Sequence, residues 1–267
     1  MKKSFLFIML MTAAQITSMY SMDNIKGGYK NCHIYSYQYK QGRLDSNSKN
    51  LLHHLICDDE GKIIQEIRFN SDKSIYSKSI NKYNDKGNLI EKGGYSSKDS
   101  VTYKSINKFD DNGNLIEAVY FSSNDSINGK EIHKYNKKGK LIETAFIKAE
   151  GSIFSKYKFK YDFNGNLISK VKYDDKGKIE SKEISKYDDR GFEIEQVNYN
   201  RNGKIHTRTI FKNDNNGNRI ESVSYSPEGT VTIKEIAKFD EFGNLLERVD
   251  YENIDEPFFK IANVYSK

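Results

Sequence analysis

Few residues in this chain are of types that do chemistry alone, and most of those recur with a period. The five histidines are His33, His53, His54, His133 and His206. A metal centre needs His, Cys or carboxylates clustered at ligand spacing. No histidine pair has such support, so neither metal nor cofactor is expected. Asp214-x-Asn216-x-Asn218 resembles the opening of a calcium loop. Gly217, however, stands at the fourth place instead of the sixth, and no Glu closes the twelfth. Turn formation is the better account of these residues. Cys32 and Cys57 flank the first hairpin. In an oxidising compartment a disulfide could staple it, and two free thiols is the alternative.

Two charged rows stand out. Glu91, Glu117, Glu143, Glu195, Glu221 and Glu247 could be taken for glycosidase carboxylates. A catalytic pair is singular, whereas a row that returns in nearly every repeat reads as cross-strand pairing. Lys82, Lys108, Lys134, Lys160, Lys186, Lys212 and Lys238 recur at one position of each repeat. Successive strands lie about 4.8 Å apart, so these lysines would stand roughly 10 Å apart. Such a line of positive charge fits an extended anion, an acidic polysaccharide or a surface polymer. It fits equally a sheet face kept soluble by its charges. The expectation is a non-enzymatic protein.

These residues must be positioned by a repeat. Tyr161–Lys186 is one copy of a 26-residue unit, and it contains its own echo: Tyr161-Asp-x-x-Gly-Asn-Leu returns as Tyr173-Asp-x-x-Gly-Lys-Ile. Position one falls at Cys57, Tyr83, Phe109, Tyr135, Tyr161, Tyr187, Asn213, Phe239 and Tyr265, with no insertion. Asp or Asn opens a turn at position two, and Gly follows three residues later. Gly supplies positive φ there, and Asx bonds the backbone ahead. A second, less regular turn divides each unit. Between turns, six or seven residues alternate with period two, which is strand periodicity and excludes helix.

In the hairpin this predicts, Ile168 and Ile184 share a face with the lysines, while Leu167, Val171, Tyr173, Ile179 and Tyr187 share the other. Residues 32–39 and 51–57 read as two further strands, with 41–50 turn-like between them. They form an irregular hairpin capping the array. The predicted fold is therefore all-β, an antiparallel β-hairpin repeat array drawn out into an elongated or curled sheet. Its repeat domain spans residues 57–267, with a lead-in and capping hairpin over 22–56.

Residues 1–21 read as a signal peptide: Lys2 and Lys3, an apolar run from Phe5 to Met11, then small residues. Export to the periplasm, outer surface or medium is expected. Lys and Arg number 43 against 37 Asp and Glu, a net charge of +6. Without Lys2 and Lys3 the balance is mild and evenly mixed, too weak to indicate nucleic acid. Apolar residues reach only 36% and aromatic residues 13%. That combination suits a thin structure with much surface per residue. Beyond the leader no stretch is long and apolar enough for a transmembrane helix. A lipid-facing barrel is disfavoured because Lys recurs twice per repeat, at ~2–4 kcal/mol each near the midplane.

At aromatic-Asp-x-x-Gly-Asn-Leu, seen as Tyr161–Leu167, Phe109–Leu115 and Phe239–Leu245, the chain resembles the bacterial YD-repeat (Rhs-type) family. MORN-type hairpin arrays are the near alternative. The resemblance covers residues 57–265 and implies a secreted or surface protein building β-sheet shells or strips. The 26-residue spacing is longer than the family's usual unit, and no catalytic residue carries over. Three functions are compatible with this sequence. The first is a secreted binding or structural scaffold for a polysaccharide or a surface protein. The second is a polysaccharide-active enzyme on a repeat scaffold, and the third is a toxin-system accessory protein.

Overall fold

A computed structural model of the protein describes residues 25–40, 43–252 and 256–266. The predicted leader lies outside the described residues. The elements are β1 (Asn31–Lys40), β2 (Arg43–Cys57), β3 (Ile63–Phe69), β4 (Ile75–Tyr83), β5 (Leu89–Ser96) and β6 (Val101–Phe109). Next come β7 (Leu115–Ser122), β8 (Ile127–Tyr135), β9 (Leu141–Lys148), β10 (Ile153–Tyr161), β11 (Leu167–Tyr173) and β12 (Ile179–Tyr187). The last are β13 (Glu193–Asn200), β14 (Ile205–Asn213), β15 (Arg219–Tyr225), β16 (Val231–Phe239), β17 (Leu245–Glu252) and β18 (Glu256–Ser266). Each unit contributes two antiparallel strands, as the alternation predicts. No described segment is helical.

Every strand pairs with its sequence neighbours, and β1 pairs with both β2 and β18. The sheet is thus a closed up-and-down barrel of 18 strands, where the sequence predicts an elongated or curled sheet. The expected capping hairpin is the closing seam. In it, Cys32 lies opposite Tyr265 of β18 on one side and Leu55 of β2 on the other. Pairing also draws the polar residues 43–50 into β2, although their composition reads as a turn: Lys40 faces Arg43 and Gln38 faces Asp45.

The first turn of each unit follows its Asx-Gly chemistry. Asp162 Oδ1 accepts from Asn166 N at 2.8 Å, and Gly165 at φ 88° brings the chain round. The second turn needs the same positive φ. Where that slot lacks Gly, Lys73, Asp99 and Asp125 take it at φ 67°, 59° and 59°. The position-one tyrosine joins one unit to the last. Tyr187 donates its hydroxyl to Leu167 O at 2.9 Å, and Tyr161 does so to Leu141 O at 2.8 Å. Phe109 has no hydroxyl, and in its unit Asn107 donates to Leu89 O at 2.8 Å.

At each such turn one strand carries an extra residue. Lys160 faces Ser169 and Tyr161 faces Leu167, which leaves Ile168 unpaired in a bulge. The bulge changes the predicted faces. Val171 lies opposite Lys182 and Ser169 opposite Ile184. Val171, Tyr173, Ile184 and the Lys row therefore share one face, and Tyr187 takes the other. A slip of one residue exchanges the faces, and a bulge is such a slip built into the fold.

The second face is the concave one. Buried polar side chains, among them Glu66, Ser79, Ser105, Ser185, Ser222 and Asp250, lie on it. Side chains converge inside a closed sheet and splay outside it. The chain end supplies independent evidence. Ile25 donates its N–H to Gly61 O, and the adjacent Lys26 bonds Asn244. These two turns are separated by β17, β18, β1 and β2, so consecutive residues can reach both only across the inside. Ile25 packs there with Cys32, Ile34, Leu55, Cys57 and Ile261, an apolar cluster at the seam.

Candidate functional site

On the convex face four Glu of the periodic row stand between two cations, while Glu117 and Glu221 pair with Lys130 at 3.4 Å and Lys234 at 3.7 Å. Lys82 reaches Glu91 at 2.8 Å, and Lys104 approaches the same carboxylate at 3.9 Å. Lys134 and Lys156 flank Glu143 at 3.0 and 3.5 Å. Lys186 and Arg208 each reach Glu195 at 2.6 Å. Lys238 and Lys260 hold Glu247 at 3.4 and 2.6 Å. The hydrogen bond from Lys82 lowers the Glu91 carboxyl and raises the Lys82 ammonium from their ordinary values. Lys186 and Arg208 lower Glu195 likewise.

The lysines Lys82, Lys134, Lys186 and Lys238 are between 62 and 69% exposed, so solvent screens each pair and it contributes little. Their effect is to tie neighbouring strands together and to cancel charge. Of the predicted lysine row, these four are committed to the ladder.

Lys160 is different. It faces Ser169, where other units carry Glu. On the same strand Lys158 occupies the slot that holds Ile80, Ile106, Ile132, Ile184, Ile210 and Ile236 elsewhere. Inside the barrel the period breaks at the same place. Tyr157 stands where the equivalent strands between β4 and β16 carry Ser, Thr or Glu, and Phe159 shares with Phe211 a slot that in those strands is otherwise Asn, His, Ser or Ala. Tyr157 packs edge-on against Phe146 with ring centroids 5.7 Å apart, and Lys170 sits 5.4 Å from the Tyr157 ring. Sequence reasoning set out the row but passed over this interruption, whose only signal is the departure of single slots from the period.

The other candidate residues have structural neighbours. Asp214 Oδ1 accepts from the backbone of Asn216 and Asn218, and its Oδ2 from the Asn218 amide, so its carboxylate serves its own turn. Among the described residues no group of three His, Cys, Asp or Glu could hold a metal ion. His53 is buried, with Nδ1 2.6 Å from Glu66 Oε1. Arg68 donates to the same carboxylate at 3.0 Å. Burial alone would raise Glu66, but His53 and Arg68 together bring it down to about 2.

At β17 Arg248 pairs with Asp250 at 2.8 Å and approaches Glu235 at 3.5 Å. Asp250 is 2% exposed. Burial, with Glu235 directly opposite, lifts its carboxyl to about 6 against the pull of Arg248. Cys32 and Cys57 are free thiols on adjacent strands and the same face, both in the seam cluster. Burial first, and the neighbouring Cys57 second, raise Cys32 to about 12.

No protein-family model matches the chain, and no curated protein matches it in sequence. Similar solved structures include the Photorhabdus luminescens Tc holotoxin pore, at 12% identity and TM-score 0.38. That match covers 87% of this chain but only 15% of the toxin chain. A porin-like protein from Bacteroides uniformis aligns at 8% identity and TM-score 0.49, over 90% of this chain and 98% of its own. One from Bacteroides vulgatus aligns at 12% identity and TM-score 0.32, over 87% and 97%.

Proposed function

We propose that this protein is an exported, non-enzymatic β-barrel scaffold of the YD-repeat type that binds an extended polysaccharide. One observation carries the reading. The recurrent charged and turn residues bond within or between neighbouring strands, while the repeat departs from its period on both faces at β10 and β11. A scaffold built from one repeated unit leaves its specific contacts to such singular slots. The aromatic-Asp-x-x-Gly-Asn-Leu element supports the family assignment. The leader-like residues 1–21 support export.

The convex face carries ion-pair ladders between its aliphatic residues, which suits contact with water and polar polymers better than with lipid. A surface protein as partner, an enzyme built on the repeat and a toxin-system accessory are the competing readings. The test is a screen of the exported protein against neutral and anionic glycans and purified envelope proteins. Retention by glycans is expected. Capture by an envelope protein with no retention on any glycan would overturn the reading.

A further inference from the structure

Successive units leave a groove between their first turns, and two copies of it differ in charge. One, of about 700 Å³, is lined by Asp214, Glu221, Asp240 and Glu241 against Lys238. Its counterpart, of about 550 Å³, lies between residues 136–142 and 159–168. There Lys138, Lys140 and Lys160 face a single acid, Asp162, whose carboxylate is occupied by Asn166. The same architectural groove thus carries a surplus of three negative charges in one place and two positive charges in the other.

Lys160 and Lys140 each lack an acidic partner for a particular reason. Lys160 lacks the Glu partner because Ser169 stands opposite. Lys140 occupies the slot of Asn166 and Asn218, whose amides bond their turn aspartates. Its side chain instead runs across the next unit. Its Nζ lies 5.7 Å from the Tyr161 ring, and a Cβ on Gly165 would sit 3.3 Å from its Cε. Lys62, in the equivalent slot, is neutralised by Glu60; in the unit of Lys140 the corresponding residue is Lys138. Beside them Phe163 is 98% exposed, in a turn slot that holds Asp59, Asp85, Asp111, Asp189 and Glu241 in other units. The aliphatic Ile142 and Ile168 also line the groove.

We propose that this groove binds acidic sugar residues of an anionic polysaccharide. Carboxylate or sulfate groups lie against Lys138, Lys140 and Lys160, and a pyranose ring covers Phe163. Three ammonium groups around an open channel suit a repeated anion better than a single phosphate. An exposed aromatic face attracts the positively polarised C–H groups of a sugar ring. The proposal rests on the polysaccharide-binding reading and places it at one site, away from the paired lysines of the ladder.

The test measures affinity for polygalacturonate (carboxylate), dextran sulfate (sulfate) and neutral dextran, at low and about 0.5 M salt. Substituting K138Q/K140Q/K160Q is expected to weaken anion binding at least about tenfold, and F163A about threefold, with unchanged melting temperatures. K82Q/K134Q/K186Q, which alters only ladder lysines, should stay within about twofold of wild type. If wild type binds a polysaccharide and the groove triple variant binds it equally well, the groove assignment falls and the scaffold reading stands. If wild type binds dextran as tightly as either anion, the charge assignment falls. If it binds none of the three, both fall. Sedimentation velocity on the same variants adds one more outcome. A wild-type dimer that the triple variant dissociates, with polysaccharide binding unchanged, would give the groove to a second copy of this chain instead.

Discussion

Asp250 is a residue whose burial works against the fold at neutral pH. The group of Glu235, Arg248 and Asp250 carries one surplus negative charge on the concave face. Its carboxyl titrates near 6 when folded, against about 3.9 in the unfolded chain. The folded state therefore binds this proton more tightly, and stability contributed at low pH is lost as pH rises from about 4 to 6. The full effect is on the order of 3 kcal/mol. Asp250→Asn should raise the melting temperature at pH 7.5 and leave it little changed at pH 4, as followed by thermal denaturation. Equal gains at both pH values would contradict the assignment.

Glu66 works in the opposite sense. Its carboxyl is depressed to about 2, so its contribution is present above the unfolded value of about 4.5 and lost as pH falls toward 2. Neither behaviour was legible in the sequence. Glu66, Glu235 and Asp250 resemble the chain's other acids until the register places them inside the barrel.

At the scale of the element, the strands and both turns were readable because each follows from local chemistry: period-two alternation, Asx at the turn start and Gly at positive φ. The faces were not. A bulge at every first turn shifts the count by one, and nothing about Ile168 as a residue type announces that it is the extra one. The two-strand unit has a testable corollary. Deleting Tyr161–Lys186 removes β11 and β12 with the turns before them and rejoins Lys160, the equivalent of the deleted Lys186, to Tyr187. It leaves 16 strands, still an even number, so an antiparallel barrel can close. Deleting residues 174–187 removes a single strand and leaves 17, so the last and first strands would meet in parallel. Guanidinium denaturation should show a folded, cooperative protein for the first deletion and loss of cooperativity for the second. Equal stability of the two would refute pairing around the whole ring.

At the scale of the molecule, closure was the feature hidden from the sequence. It depends on β1 meeting β18, a pairing for which no local pattern exists, and on the summed curvature of 18 strands. The seam also holds the two cysteines. If they are oxidised in protein recovered from an oxidising compartment, its intact mass should rise by two hydrogens on reduction. Alkylation of both thiols without reductant would show that the seam is held by packing alone.

Strand order carries a further consequence for how the chain is made. All pairings but one join neighbours in sequence and can form as the polypeptide emerges. The remaining one joins Asn31 to Ser266, so the ring stays open until the final strand arrives. Until then β1 and the newest strand present unpaired backbone, the kind of edge that recruits other chains. A ribosome that stops before β18, or a protease that removes it, leaves an open and aggregation-prone strip. Synthesis of β18 is thereby coupled to solubility, and only chains that carry it lose their edges.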